Sequence, residues 1–226
     1  AVNFALILGL LMQPFGLWCF PQRIRLLQQP GGIQQCADYA LLGTNMGILL
    51  GAAMMMALPA FLILALPPAY HGAASLVMGL ACVAAIKNAG ELLNLGCFSG
   101  DSSQTQMWIQ WFAAVLAVAG YLWLIPKQGT TGAVMVLAIV YMIRLLLFYG
   151  YSQRQLYLPY QHKTWLITFT VSTCFVVSLW LLSPFISIAA QLVSGVLASA
   201  ALLATLFWSG VFPKSVISSL ARRFSK

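Results

Sequence analysis

GAVMVLAIVYMIRLLLF, residues 132–148, decides how the rest of the chain is read. It carries one charge, Arg144, in a run that is otherwise apolar or aromatic. Apolar side chains do not alternate with polar ones along it. An outer-membrane strand would alternate over about 10 positions, so this stretch is not a barrel strand. It is close to the roughly 20 apolar residues that a helix needs to cross a hydrocarbon core about 30 Å thick. A helix is the form that satisfies backbone N–H and C=O groups where no water reaches them.

The same pattern recurs on both sides. Seven candidate spans can be drawn, at 2–20, 39–66, 73–95, 107–125, 132–151, 164–182 and 188–209. Between them lie short, turn-rich breaks. The 226 residues are 62% hydrophobic and 6% charged, with a mean hydropathy of +0.92. Soluble domains carry about 25% charged residues, so a water-soluble fold is excluded. The expected fold class is an all-α membrane protein of about seven transmembrane helices. Residue 1 is Ala, so a fragment or a processed product is expected. The first span is expected to be a membrane helix rather than a signal peptide, with no charged segment before it and no small-residue cleavage site after it in this sequence.

The net charge of +8 is distributed by topology. Arg23 and Arg25 follow the first span, and Arg154 and Lys163 follow the fifth. Lys214, Arg222, Arg223 and Lys226 lie in the tail 210–226. With seven spans these eight share one side, and the opposite side holds Lys127 alone. The positive-inside rule then places the C-terminus in the cytoplasm of an inner-membrane, multi-pass protein. A nucleic-acid partner is not expected, because the basic residues are spread over several loops rather than gathered on one face. The tail is read either as a short amphipathic surface helix or as a frayed end. Residues 21–38 are read as a cytoplasmic connector broken at Pro30-Gly31-Gly32.

Cys19, Cys36, Cys82, Cys97 and Cys174 form no CxxC pair and are read as small buried hydrophobes. Tryptophans and tyrosines gather near span ends, as in an interfacial belt. Gly43, Gly47 and Gly51 recur every four residues. That spacing puts them on one helix face, either as a close-packing seam or as a flexible hinge. Pro59 should kink the same helix. Ser183-Pro184-Phe185 separates the last two spans tightly enough for a helical hairpin.

Three ionisable residues fall inside spans: Lys87, Glu91 and Arg144. Each costs about 2.5–3.5 kcal/mol at a helix centre, so each needs a partner or water. Lys87 and Glu91 are one helical turn apart and can pair. Asn88 and Asn94 make that half of the helix polar. Two readings remain open. Lys87 and Arg144, with Glu91 and Asn88, line a wet cavity that attracts an anionic substrate. Alternatively they are an internal ion pair and a snorkelling arginine. No catalytic motif, cofactor motif or metal-ligand cluster is recognisable in the sequence, so neither an enzyme nor a cofactor is expected. His71 and His162 read as plain loop residues.

Residues 124–134, LIPKQGTTGAV, resemble the helix-joining turn L-I-P-x-x-G-x-x-G-A of polysaccharide exporters. These belong to the multidrug/oligosaccharidyl-lipid/polysaccharide flippase superfamily. PFGLWCFPQRIR, residues 14–25, is similar to that family's helix exit, and LPPAYHGAASLV, residues 66–77, to its outer turn. The resemblance covers most of residues 14–163. It implies the C-terminal lobe of a two-lobed transporter whose N-terminal lobe lies outside this sequence. It implies flipping of a lipid-linked oligosaccharide or polysaccharide precursor by alternating access, with membrane lipids around it. A multidrug/cation antiporter of the same superfamily and a membrane-embedded envelope-glycan enzyme are the alternatives.

Overall fold

The computed structural model describes residues 2–98 and 104–208, with side chains from residue 7 onward. Among these residues the long elements are all α-helical: α1 Val2–Leu27, α2 Gly32–Ala65, α3 Ala73–Leu92, α4 Gln104–Gln155, α5 His162–Leu182 and α6 Ile188–Trp208. Single 3-10 turns at Pro68–Tyr70, Leu95–Phe98 and Ser183–Phe185 join some of them. Five helical stretches are long and apolar enough to cross a bilayer: Gly32–Ala65, Ala73–Leu92, Gln104–Gln155, His162–Phe185 and Ile188–Trp208.

The 52 residues of α4 would span about 78 Å if straight, more than twice a hydrocarbon core. They do not run straight. Gly129 has φ 58 and ψ −134, a conformation that glycine adopts without a Cβ penalty, and the helix breaks there. The arms 104–128 and 130–155 fold back on each other. Ala113 of the first arm is buried with Val136 and Val140 of the second. Near the free ends, Gln155 Nε2 donates to Thr105 Oγ1 at 3.4 Å. The spans read at 107–125 and 132–151 are these two arms.

The largest departure from the sequence reading lies at the end of α1. The first span was expected to stop at residue 20, with 21–38 as a connector. Instead α1 continues through Pro21 to Leu27, and α2 begins at Gly32. The break shrinks to four residues, where Gly31 takes φ 76. The reason is packing. Arg23 is 2% exposed, and its Nη1 donates to the carbonyl of Leu92 at 2.7 Å, at the last turn of α3. A cation there also opposes the negative end of the α3 dipole. The tail 210–226 and residue 209 lie outside the described residues.

α2 is the central element. α3, α6, α1 and α5 all pack on it, and α4 packs on α3. The glycine seam faces helices, as the close-packing reading required. A Cβ on Gly43 would strike Phe15 of α1, with Leu92 of α3 at 2.7 Å. One on Gly47 would strike Asn88 of α3, and one on Gly51 would sit 3.0 Å from the Cβ of Ala85. A Cβ on Gly195 of α6 would strike the backbone of Met56 and sit 3.2 Å from that of Ala57. The turn between α5 and α6 is tied by Gln191, whose Nε2 donates to Ser183 O at 2.7 Å and Ile186 O at 3.2 Å.

Polarity is inverted relative to a soluble protein. Leu122, Trp123, Leu197 and Trp208 are exposed, whereas Asn45, Thr168 and Ser152 are fully buried. Lipid accepts such a surface and water does not. The connectivity also sorts the charges. Arg23, Arg25, Arg154 and Lys163 gather at the end where α1 and α4 finish, and Lys127 sits at the opposite end.

Candidate functional site

Three of the four residues expected to form a site, Lys87, Asn88 and Glu91, lie within two turns of α3, and the fourth, Arg144, lies on α4. Lys87 Nζ and Glu91 Oε1 lie 3.9 Å apart on α3, each side chain half exposed. This is the one ion pair among the described residues. Asn88, on the neighbouring face, points at α2 and donates to Gly43 O at 3.4 Å. Arg144 is buried at 9% exposure on the second arm of α4. Its guanidinium lies over the rings of Phe148 at 5.0 Å and Tyr141 at 5.5 Å. Arg144 is therefore held inside the bundle rather than at a surface.

The cavity that the fold provides lies elsewhere. α4 packs on α3 and α5 packs on α2, and a space of about 920 Å³ separates the second arm of α4 from α5. Ile48, Ala52, Met55, Leu146, Phe169 and Val176 make much of its wall. Helix spacing explains the void. α5 contains no glycine, and the cavity-facing residues of α4 are Met142, Leu145, Leu146 and Tyr149. Bulky side chains on both helices keep the backbones apart.

One end of the cavity is lined by an aromatic cluster. Tyr149 Oη and His162 Nε2 are 3.3 Å apart. The Trp165 ring lies 5.5 Å from His162, 5.1 Å from Tyr160 and 6.4 Å from Tyr149. Burial raises the Tyr160 hydroxyl above the ordinary tyrosine range, against a lowering influence of Arg23. Tyr160 packs with Cys36, Ala37, Leu93 and Leu158 in the core that seals this end.

Three polar atoms of wall residues are buried, away from the open space, without a hydrogen-bond partner: Thr44 Oγ1, Ser172 Oγ and Trp165 Nε1. The sequence reading passed over all three, and treated His162 as a plain loop residue. A usable signal was present. Thr164, Thr168 and Ser172 recur every four residues on α5 and so form one hydroxyl stripe. Thr168 bonds its own helix at Thr164 O, 3.0 Å, whereas the Ser172 hydroxyl is buried without a partner.

The lining is mostly apolar and can hold an apolar chain. It brings no cluster of three or more His, Cys, Asp or Glu side chains with metal-binding geometry among the described residues. Compared with known proteins, the chain matches no family model, no curated protein and no solved structure.

Proposed function

We infer that the chain is a membrane-embedded helical lobe that takes part in moving a lipid-linked oligosaccharide or polysaccharide precursor across the cytoplasmic membrane. The observation that carries this reading is the inverted polarity of the bundle, combined with a spacious, mostly apolar cavity between α4 and α5. A translocator of an amphiphile needs both a lipid-compatible exterior and room inside the bundle for chain and head. On this reading α1, α2, α3, the two arms of α4, α5 and α6 are seven crossings, and the positive-inside rule supports a cytoplasmic C-terminus. The turn motifs at 124–134, 14–25 and 66–77 support the same assignment by resemblance.

In this reading the half-exposed Lys87–Glu91 pair marks a polar strip on α3 that faces a partner lobe or the polar headgroup region. Arg144, held between rings inside the bundle, stiffens the α4 hairpin and adds a fixed positive charge to it. Glycan export in cells carrying the full-length protein tests the assignment. Lys87→Ala is expected to reduce export at unchanged protein level, and Arg144→Ala to reduce both. Unchanged export in both single variants and in the double variant would remove these charges from the transport reading.

A further inference from the structure

A second, smaller cavity of about 160 Å³ lies near the turn between α5 and α6, lined by residues of α2, α3, α5 and α6. Its wall includes three methionines, Met55 and Met56 of α2 and Met78 of α3, together with Trp180 of α5 and Gln191 of α6. No carboxylate, imidazole, thiol or basic side chain is among its lining residues. Methionine ordinarily fills an irregular gap in a core, because its unbranched chain has three rotatable bonds. Here three of the nine methionines surround a gap that stays open. The one side-chain amide in the wall, Gln191, already donates from Nε2 to Ser183 O and Ile186 O. Thioethers are therefore the main ligand-capable groups that this wall supplies.

We propose that this cavity binds a soft monovalent cation of the copper(I) class, ligated by the thioethers of Met55, Met56 and Met78 beside the Trp180 indole. Ligand softness makes the selection. Magnesium and calcium take shells of oxygen ligands, which this lining does not provide. Thioether sulfur selects copper(I) among the metals open to a protein site. Charge points the same way. A divalent ion would need carboxylates to offset it in an apolar wall, whereas a single positive charge is partly offset by the face of an indole. Flexible methionines can bring their sulfurs together without a change in the backbone. Such binding needs no glycan and no transport, so it goes beyond the proposed function and stands or falls separately from it.

The test uses the full chain in detergent micelles, labelled with methyl-13C methionine, and Ag(I) as an air-stable soft probe in chloride-free buffer. The exposed thiols of Cys82 and Cys174 are first blocked with N-ethylmaleimide. At one equivalent of Ag(I) the methyl resonances of Met55, Met56 and Met78 should shift, and those of the exposed Met107, Met135 and Met142 should stay in place. Mg(II) should move none of them. Met55→Leu and Met78→Leu conserve volume, serve to assign the resonances, and should each weaken Ag(I) binding about tenfold against free methionine as competitor. Trp180→Phe should keep the three shifts and weaken binding several-fold. If a leucine variant fails to fold, protection of Met55 and Met78 from peroxide oxidation by Ag(I), mapped by mass spectrometry on the unaltered chain, decides. Shifts of equal size on Met107, Met135 and Met142 would overturn the site, as would the absence of both shifts and protection at Met55 and Met78.

Discussion

The two sides of α2 are built on opposite principles. Against α1, α3 and α6 it presents Gly43, Gly47, Gly51 and a groove for Gly195, and the helices close to near-backbone contact. Towards the second arm of α4 and α5 it presents Thr44, Ile48, Ala52 and Met55, and a cavity remains. Apolar character does not separate the two regions, because both are apolar. In lipid there is no hydrophobic drive between helices, so side-chain size at the contact decides how close they come. Glycine makes a wall, and leucine, methionine and phenylalanine make a room.

The comparison is broken most directly by exchanging the two kinds of residue. Gly195→Leu drives a side chain into the Met56 backbone, and Gly47→Leu drives one into Asn88. Each is expected to cost about 3 kcal/mol or more, seen as lost yield and a lower melting temperature in detergent. Thr173→Leu on the open side should stay within about 0.5 kcal/mol of the parent. Equal losses on both sides would mean that the cavity is no more tolerant than the seam.

Removing the Arg23 guanidinium comes next in size. Arg23→Ala deletes the charged bond to Leu92 O and should cost about 2–3 kcal/mol by thermal melting. Arg23→Lys should recover part of this, since a point charge still opposes the α3 dipole. A neutral Arg23→Ala would show that the residue is topogenic only, as the sequence alone suggested.

On the open side the sign should reverse. Ser172→Ala removes a buried hydroxyl that has no partner, so the unliganded protein should be unchanged or more stable by up to about 1 kcal/mol. A loss of more than about 1 kcal/mol would reveal a bond to Ser172.

The smallest effect concerns pH. Tyr160 is raised in the folded protein by burial, so the folded state holds this proton more tightly than the unfolded state does. Above about pH 10 the unfolded chain loses the proton first, and stability falls as pH rises further. Melting scans should be flat with respect to Tyr160 below pH 9 and decline above about pH 10, by under 1 kcal/mol at pH 10.5. Tyr160→Phe should lack that decline. An identical alkaline decline in the variant would assign the effect to other groups.

Much of this architecture could be read from residues, and the reason is specific to lipid. Long apolar runs have one way to satisfy their backbone, so 39–66, 73–95, 164–182 and 188–209 each coincide with a helix within a few residues, apart from the earlier start of α2. The glycine seam was legible because four-residue spacing fixes a face. The end of α1 was not legible. Pro21 and two arginines look like an exit, and only the partner carbonyl at Leu92, 69 residues away, makes burial of Arg23 favourable. The cavity was illegible for a similar reason. Its wall comes from four helices, and a void is a property of the spacing between them rather than of any one sequence. Lys87 and Arg144 were singled out because charge in an apolar run is conspicuous. Thr44, Ser172 and Trp165 are ordinary inside a span and become unusual only when no partner is found.

The bend at Gly129 also bears on how the chain enters a membrane. The arms of α4 leave a tip whose cargo is small: Lys127, Gln128, Thr130 and Thr131. The Lys127 ammonium lies 4.5 Å from the Trp123 ring, so its one charge is partly shielded by an indole face. An insertion machinery handling residues 104–155 as a single hairpin would carry across only that screened cation and a few neutral polar groups. A second basic residue at the tip would raise the barrier to translocation and favour a topology in which both arms stay on the near side.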